Sequence, residues 1–380
     1  MVKTLIVLPG RVEFEEDPRV ASDERGRMEI PELTKTLQRQ GVEVEFLNYD
    51  HVSSDRNFLV KLVARFLGLQ YAQAVSAFFR LGRYDSVLTY GESAGAPLAL
   101  FVILSRLLFW RRATRHVCVV YDLTKPGTAK FFRTFRAYKG IAIILVPSQE
   151  QRRFCMTELG VEADRLVFLP CSVDTRFYRV CPKTKSETPL LVSAGASMRD
   201  YATLVNAMKG LPELRLKIDP SAGPRLNKKT IPDAELSENT EYVHYPPGGL
   251  RDLYMGCDIF CVSVFGGLKT TYGVTTALEG MAMGKPVVAT RIPGLTDYLI
   301  EGETGLFVEP GDVEGWRRTL RRLSQDPALC ERLGRNGRQW AEKNATIELW
   351  AERVAAALLP KQAPQLSTSK VKAGSEPALS

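Results

Sequence analysis

The stretch KTTYGVTTALEGMAMGKPVVAT, residues 269–290, predicts a loop, a short helix and a buried strand in close succession. Apolar residues recur at helical spacing over residues 275–283, Gly273 gives the preceding loop a flexible joint, and Gly284 suits the position after the last helical turn. A loop rich in Gly and Thr that leads into a helix leaves backbone N–H groups unpaired at the positive end of the helix dipole, which suits a phosphate or diphosphate. The stretch therefore indicates a nucleotide site. Glu279 is too deep in the helix for an N-cap, and its spacing alone fits a surface carboxylate equally well.

Apolar strands and helices alternate on both sides of this stretch, in the order typical of parallel sheets covered by helices. The N-terminal half contains six predicted strands: Lys3–Leu8, Val42–Asn48, Ser86–Tyr90, His116–Tyr121, Ile141–Pro147 and Leu166–Pro170. The C-terminal half repeats the rhythm with Leu190–Ala194, Leu214–Asp219, Ile259–Val264, Pro286–Ala289 and Leu306–Val308. The predicted fold class is α/β, with two doubly wound Rossmann-like domains that face a cleft. Ligands of such proteins bind at the carboxyl ends of the strands.

A chain of 380 residues favours two domains, because single hydrophobic cores stop growing below this size. The segment VCPKTKSETP is polar and contains two prolines, so it is the predicted linker. We predict an N-terminal domain over residues 1–180, the linker over 181–189 and a C-terminal domain over 190–344. Residues 345–360 form a predicted C-terminal helix that packs back on the N-terminal domain, and residues 361–380 form a predicted disordered tail.

Composition favours a globular protein of a reducing compartment, with 45% hydrophobic and 25% charged residues. The seven cysteines are odd in number and scattered, and Cys257 and Cys261 have no second pair or nearby histidine to complete a metal set. We predict structural thiols and no metal site. The apolar run at residues 5–8 is too short for a signal peptide, and the run at 95–104 is too short to cross a bilayer. We therefore expect a cytoplasmic protein.

The formal net charge of +8 lies entirely in the N-terminal half. Residues 1–185 contain 28 Lys and Arg against 20 Asp and Glu, whereas the two classes balance in the remainder. Eight of the basic residues form two clusters after an apolar helix: Arg106, Arg111, Arg112, Arg115, Lys130, Arg133, Arg136 and Lys139. Such a one-sided excess indicates a polyanionic partner or an anionic surface.

The segment Arg56–Arg80 adds an amphipathic pattern to this charge. Four apolar residues share one face: Phe58, Leu62, Phe66 and Leu69. Two interpretations stay open. The face and the charge dock the protein peripherally on an anionic membrane, or the face packs on the sheet and the charges are solvated. We expect no nucleic-acid partner, because no recognition motif accompanies the charge.

The run TTALEGMAMGKPVVATRIPGLTDYLIEGETGLFVEPGD, residues 275–312, resembles the nucleotide-sugar signature of glycosyltransferase family 4. Three upstream segments agree with that family in order: VPSQEQRRFCMTELGV, LPCSVDTRFY and LLVSAGASMRDYATLVNAM. The resemblance covers the chain from about residue 145 to the last helix. The first 140 residues match the family only in their alternation of predicted strands and helices. It implies the GT-B fold and a retaining enzyme that uses a nucleoside-diphosphate sugar without a metal or another cofactor.

The resemblance assigns roles to individual residues. Glu279 matches the glutamate that accepts hydrogen bonds from the ribose hydroxyls, and a carboxylate has the acceptor capacity for a vicinal diol. Arg199 matches the basic residue that neutralises the leaving diphosphate. Gly195 matches a glycine of the same loop. The diphosphate is expected on the backbone of residues 273–276, which are Gly273, Val274, Thr275 and Thr276.

Further candidates lie in loops on the cleft side. Gly10 follows the first strand and would allow close approach of the phosphates, although Pro-Gly is also an ordinary turn. Asp122 lies near the place where family members often have a histidine beside the donor sugar, so it is a candidate acceptor-side base or sugar contact. Asp297 and Tyr298 are expected to shape the turn around the site.

Two positions depart from the family pattern. The first glutamate of the motif, which meets the donor sugar, falls on Thr271, or on Thr270 if the loop is one residue longer. Many members also have an arginine where this chain has Ala196, and Lys269 or Arg11 would have to replace that cation. We interpret the departures as an altered sugar preference.

The sequence thus predicts a retaining glycosyltransferase that moves a sugar from a nucleoside-diphosphate sugar to an unidentified glycan, lipid-linked or small-molecule acceptor. Three alternatives stay open. A nucleotide-sugar epimerase shares the two-domain architecture. A non-catalytic GT-B subunit is motivated by the two departures. A binding or scaffold protein would need neither the nucleotide nor closure of the cleft.

Overall fold

The computed structural model of the protein describes residues 2–10, 17–109, 114–181, 188–220 and 236–359. They form two sheets of six parallel strands each. The first sheet consists of β1 (Val2–Val7), β2 (Val42–Leu47), β3 (Ser86–Tyr90), β4 (Arg115–Val119), β5 (Ile143–Val146) and β6 (Leu166–Phe168). The second consists of β7 (Leu190–Ala194), β8 (Arg215–Asp219), β9 (Thr240–Tyr242), β10 (Ile259–Val262), β11 (Val287–Thr290) and β12 (Leu306–Val308).

Helices connect these strands. In the N-terminal half they are α1 (Pro18–Ala21), α2 (Glu29–Arg39), α3 (Tyr49–Ser53), α4 (Phe58–Leu67), α5 (Leu69–Arg80), α6 (Glu92–Phe109), α7 (Pro126–Phe135) and α8 (Gln149–Leu159). In the C-terminal half they are α9 (Tyr201–Met208), α10 (Pro247–Gly256), α11 (Val274–Ala282), α12 (Pro293–Thr296), α13 (Val313–Gln325), α14 (Pro327–Asn344) and α15 (Ile347–Leu358). Short 3-10 turns span Leu81–Arg83, Ala137–Gly140 and Ala163–Arg165.

Each sheet is buried on both faces, which explains why the central strands are continuously apolar. In β1, Leu5 packs into one core and its neighbour Ile6 into another, because successive side chains of a strand point to opposite faces. Phe260 and Cys261 of β10 divide in the same way between two cores of the second sheet. The edge strand β2 instead mixes valines with glutamates and is buried only at its ends.

The strand order of both sheets is doubly wound. The first sheet has the order β2-β1-β3-β4-β5-β6 and the second has the order β12-β11-β10-β7-β8-β9. The direction of winding reverses between β1 and β3 in the first sheet, and between β7 and β10 in the second. The predicted fold class is therefore confirmed, and these two reversal points are where such sheets bind ligands.

The amphipathic segment Arg56–Arg80 is divided by a glycine. It contains two helices, because Gly68 adopts a φ of 94° between α4 and α5. This positive φ is open to glycine and interrupts the helical hydrogen-bond ladder.

The last helix joins the two halves of the chain. A bend at Ala345 and Thr346 separates α14 from α15, and the amide of Val173 donates to the carbonyl of Ala345 at 2.8 Å. Beyond this bend, Trp350 and Val354 of α15 enter the core of the first sheet together with side chains of α2. Some predictions fall outside the described residues, namely those for Arg11, Arg111, Arg112, most of the linker and the tail over 361–380.

Candidate functional site

The loops that follow β7 and β10 meet where the winding of the second sheet reverses. Arg199 forms an antiparallel bridge with Val264, and the amide of Asp200 donates to the carbonyl of Ser263 at 3.1 Å. The Ser263 hydroxyl donates in turn to the Asp200 carbonyl at 2.7 Å. These bonds fix the backbone on both sides of Arg199, so its side chain is positioned at the carboxyl edge of the sheet.

Arg199 is a buried cation whose hydrogen-bond partners are neutral. Its guanidinium donates from Nε to the Ala194 carbonyl at 2.9 Å, from Nη1 to the Ser197 carbonyl at 3.0 Å and from Nη2 to Thr276 Oγ1 at 2.8 Å. Only 5% of the residue is exposed, and burial lowers the pKa of the guanidinium below its usual range. Within the described ranges no ion pair within 4 Å includes Arg199, and three of its five N–H groups are used, so two N–H donors remain for an anion.

Helix α11 begins directly beside this guanidinium. Gly273, the residue before the helix, has a φ of 84°, and a Cβ at this position would lie 3.7 Å from Arg199 Nη1. The amide of Val274 donates to the Thr271 carbonyl at 3.3 Å, whereas the amides of Thr275 and Thr276 have no acceptor among the described residues. Unpaired amides, the positive end of the helix dipole and a buried guanidinium thus point to an anion site.

Glu279 lies one turn further along α11 and is half-buried. Its Oε1 accepts a hydrogen bond from the Tyr178 hydroxyl at 3.1 Å, and the buried Tyr254 of α10 is a second hydrogen-bond partner. Desolvation raises the pKa of this carboxyl to about 7, although both tyrosines and the charge of Arg199 favour its ionised form. The structure therefore rejects the surface-carboxylate interpretation: Glu279 is a preorganised acceptor at the edge of the anion site.

A cavity of about 340 Å³ opens beside Glu279 and is lined by both halves of the chain. Thr275 and Glu279 line it from α11, and Tyr178 lines it from the segment that follows the first sheet. The N-terminal side contributes the short loop of residues 25–28 and Glu29, the first residue of α2. The volume falls in the range of small-molecule sites.

The predicted site residues thus divide into two groups. The structure brings six of them together: Gly195, Arg199, Gly273, Thr275, Thr276 and Glu279. Val274 belongs to the same helix end but directs a fully buried side chain into the core. Gly195 is close enough that a Cβ there would lie 2.4 Å from Arg199 Nη2, so only a glycine leaves room for the guanidinium.

The remaining candidates lie where the loop of residues 268–272 meets the first domain. Thr270 Oγ1 donates to the Tyr121 carbonyl at 3.1 Å and accepts from Gln151 Nε2 at 3.1 Å. Lys269 precedes this contact and is exposed, and Asp122 adjoins it from the other side. Asp122 Oδ1 accepts from both the amide and the hydroxyl of Thr124, at 3.0 and 2.6 Å, so one oxygen of this carboxylate is committed to a turn.

The positions of the missing glutamate are occupied by domain contacts. Thr270 is buried in the contact just described, and the Thr271 side chain hydrogen-bonds with the Cys171 thiol. Gly10, at the carboxyl end of β1, has a φ of 92°, and its carbonyl accepts from the amide of Tyr49 at 3.1 Å. Within the described residues, no backbone hydrogen bond joins Gly10 to the cluster at Arg199.

Asp297 and Tyr298 connect the domains. Asp297 Oδ2 accepts from the amide of Gln149 in the first turn of α8 at 2.8 Å. The Tyr298 hydroxyl donates to the Pro147 carbonyl at 2.6 Å and accepts from the Cys171 amide at 2.9 Å. These residues therefore hold the second domain against the first, in addition to forming a turn.

Sequence reasoning missed Tyr178 and Tyr254, which both reach Glu279. The two rings stack with centroids 6.3 Å apart. Tyr178 follows β6 by ten positions and Tyr254 belongs to a helix of the second domain, so their meeting depends on how the domains pack. No local periodicity indicates this contact. The one signal in the sequence is that Tyr178 is the last residue of the family-like segment LPCSVDTRFY.

The architecture and the site define a GT-B protein with an anion site at the reversal point of its second sheet. Solved structures of the same fold cover nearly the whole chain. A glycosyltransferase from Rickettsia africae aligns with a TM-score of 0.66 at 17% identity, over 94% of this chain and 98% of that one. The Anabaena protein HepE, in complex with UDP and glucose, aligns with a TM-score of 0.67 at 13% identity, over 94% of this chain and 99% of that one.

A family model matches part of the chain. Residues 182–340 match the model of glycosyl transferases group 1. A D-inositol 3-phosphate glycosyltransferase from Pseudarthrobacter chlorophenolicus is 25% identical over 219 residues, which is 53% of this chain and 51% of that protein. An MMP alpha-(1->4)-mannosyltransferase from Mycolicibacterium hassiacum is 27% identical over 221 residues, 54% of this chain and 51% of that protein. The chain thus spans about half the length of these curated relatives in the alignments.

The described residues contain neither a candidate membrane span nor a candidate metal site. No helix in these ranges has both the length and the apolar character that a membrane span requires. No three His, Cys, Asp or Glu side chains in the same ranges converge as ligands for a metal ion.

Proposed function

We propose that this protein is a retaining glycosyltransferase of family 4, which moves a sugar from a nucleoside-diphosphate sugar to an acceptor hydroxyl. The observation that supports this most directly is the buried charge of Arg199, which forms no ion pair within 4 Å among the described residues, beside the first-turn amides of Thr275 and Thr276. A buried charge without a contacting counter-ion is costly, so such an arrangement favours a site that an anion fills. The group 1 match of residues 182–340 agrees with this proposal.

The proposed mechanism assigns each group a separate task. Arg199 and the first-turn amides of α11 stabilise the negative charge that develops on the diphosphate as the glycosidic bond breaks. Glu279 accepts hydrogen bonds from the ribose hydroxyls and fixes the nucleotide. The acceptor hydroxyl attacks the anomeric carbon on the face from which the diphosphate leaves, so the configuration is retained. No metal or other cofactor has a task in this scheme. Asp122 stays a prediction for the acceptor side, with its second carboxylate oxygen available for that role.

Thermal shift tests the nucleotide site without knowledge of the acceptor. Wild type, Glu279→Ala and the control Glu331→Ala would be heated with UDP, GDP, ADP or dTDP. Glu331 is an exposed carboxylate on α14 that pairs with Arg335. At about 100 times the dissociation constant, a nucleotide stabilises the folded protein by about 2.7 kcal/mol. We expect one nucleotide to stabilise wild type and the control, but not Glu279→Ala.

A lack of stabilisation of wild type by all four nucleotides would contradict the proposal. It would favour a non-catalytic subunit, for which the threonines at 270 and 271 and Ala196 supply the specific observation. If a nucleotide binds, incubation with the matching nucleotide sugar alone separates two enzymes: an epimerase converts the sugar without an acceptor, and a transferase does not.

We also propose that the protein works in the cytoplasm at an anionic membrane surface. The seven cysteines lie in the described ranges and form no disulfide there, which agrees with a reducing compartment. The excess of Lys and Arg in residues 1–185 is the charge that such a surface attracts.

A further inference from the structure

Helix α4 presents an apolar face to solvent. Phe58 is 73% exposed, Phe66 71%, Leu59 49% and Leu62 40%. At 100° per residue these four side chains fall within one third of the helix circumference, so they form a single stripe, here called the α4 face. Isolated exposed apolar residues are normal, but a contiguous stripe with two nearly bare phenylalanines indicates a binding surface.

The rest of α4 is anchored to the protein, so the exposed stripe belongs to an ordered helix. Val60 is fully buried and packs into a core of the first domain, where Val63 and Ala64 are partly buried beside it. The side chain of Asn57 caps the helix by accepting from the amide of Leu59 at 2.9 Å. The interpretation from sequence that this face packs on the sheet is therefore wrong for Phe58, Leu62 and Phe66. Its fourth residue, Leu69, does pack against the core.

Positive charge borders the α4 face. Arg56, Lys61 and Arg65 are exposed, and Arg65 lies over the ring of Phe66 with 5.8 Å between its Cζ and the ring centroid. The sequence from Arg56 to Tyr84 contains five Lys and Arg and no Asp or Glu. An apolar stripe bordered by Lys and Arg is the pattern of helices that lie in the interface of an anionic bilayer. A protein partner would more often meet such rings with a concave pocket and mixed charge.

The C-terminal end of α4 lies near the carboxyl edge of the first sheet, because Gln73 in the next helix donates from Nε2 to the carbonyls of Leu8 and Leu47 at 2.8 Å. The preceding helix α3 is held at the carboxyl edge of the sheet, because the amide of Tyr49 donates to the Gly10 carbonyl. Asp55, between α3 and α4, accepts from Ser76 Oγ at 2.6 Å and from Arg80 at 3.2 Å. Because Arg80 leads into the amino end of β3, α4 begins toward the amino edge of the sheet and runs back toward the carboxyl edge.

We infer that α4 is an interfacial helix that docks the first domain on an anionic membrane, and that the acceptor is a lipid-linked molecule in this membrane. Phe58, Leu62 and Phe66 insert between the lipid headgroups, and Lys61 and Arg65 contact the anionic ones. Docking itself does not depend on the proposed glycosyl transfer. The assignment of the acceptor does rest on that function, because only a transferase needs the cleft turned toward a lipid-linked substrate.

Sedimentation with vesicles tests the docking on the full chain. The vesicles would contain phosphatidylcholine alone or phosphatidylcholine with phosphatidylglycerol. We expect wild type to sediment with the anionic vesicles. The variant Phe58→Ser/Phe66→Ser should partition into them at least about tenfold less, because a serine buries far less apolar surface in lipid than a phenylalanine ring does. The variant Lys61→Gln/Arg65→Gln should lose most of the preference for anionic over neutral vesicles. Ile300→Ser in the second domain, where Ile300 is 38% exposed, is the control and should bind as wild type does.

Equal vesicle binding by wild type and the phenylalanine variant, or no binding by wild type, would overturn the inference. A molar mass by light scattering that falls from dimer to monomer in the phenylalanine variant would assign the α4 face to a second copy of this chain instead. Nucleotide-induced thermal shifts on the same samples keep the two proposals apart. The α4 variants should retain the shift, and Glu279→Ala should retain vesicle binding. If wild type binds the vesicles but no nucleotide raises its melting temperature, the proposed glycosyl transfer is refuted and the docking inference stands.

Discussion

Replacement of Glu279 by glutamine should remove a pH dependence from the stability of the unliganded protein. Burial raises the pKa of this carboxyl from 4.5 to about 7. Between these pH values the folded protein retains a proton that the unfolded chain has lost, so the free energy of unfolding falls as pH rises through this window. The shift of the pKa corresponds to a change of about 3 kcal/mol at most in the free energy of unfolding. Because the carboxylate opens onto the cavity, solvent screening makes this change smaller.

The measurement is thermal unfolding of wild type, Glu279→Gln and the exposed control Glu331→Gln as pH is raised from about 5 to 8. Glutamine retains the shape and an acceptor oxygen but has no proton to lose. We expect the difference between Glu279→Gln and wild type to shift in favour of the variant as pH rises, by a few degrees in Tm in total. The control should follow wild type throughout.

A bound nucleotide should suppress the same pH dependence in wild type. Ribose hydroxyls donate to the ionised carboxylate and stabilise it, which lowers the pKa of Glu279 toward its ordinary value. An identical pH slope in wild type and Glu279→Gln would refute the argument, because the proton would then belong to another group. A slope that the binding nucleotide leaves unchanged would mean that Glu279 does not meet the ribose.

Two further predictions concern the geometry around the site. Gly195→Ala should weaken nucleotide binding at least about tenfold by calorimetry, because its Cβ would displace the Arg199 guanidinium from a distance of 2.4 Å. Gly302→Ala is the matched control, since Gly302 also has a positive φ but open space around it, and nucleotide binding equally weak in both variants would contradict the role of the clash. Asp297→Ala should lower the free energy of unfolding by about 1 kcal/mol, because the amide of Gln149 loses its acceptor between the domains. Asp297→Asn keeps an acceptor oxygen and should recover most of this loss in denaturant titrations; no difference between the two variants would contradict the bond.

Much of the architecture follows from local pattern. Short apolar runs separated by helical spacing predicted both parallel sheets, because a strand buried on both faces needs a continuous apolar sequence. The stretch around Gly273 and Glu279 predicted the helix N-terminus of the anion site, since glycine and threonine before an apolar helix leave its first amides free. The family-like motif added Arg199 and Gly195, which spacing alone would not have joined to it.

The tertiary structure decided which of these groups meet and which surfaces stay open. An amphipathic pattern shows that a helix has an apolar face but not whether another element covers it, so the exposure of Phe58 and Phe66 could only be seen in the folded chain. The contact of Tyr178 with Glu279 joins residues 101 positions apart. Thr270, read from sequence as the site of a lost glutamate, proved to be a contact between domains. Such contacts depend on how two domains pack against each other, and a periodicity of two or 3.6 residues holds no information about that packing.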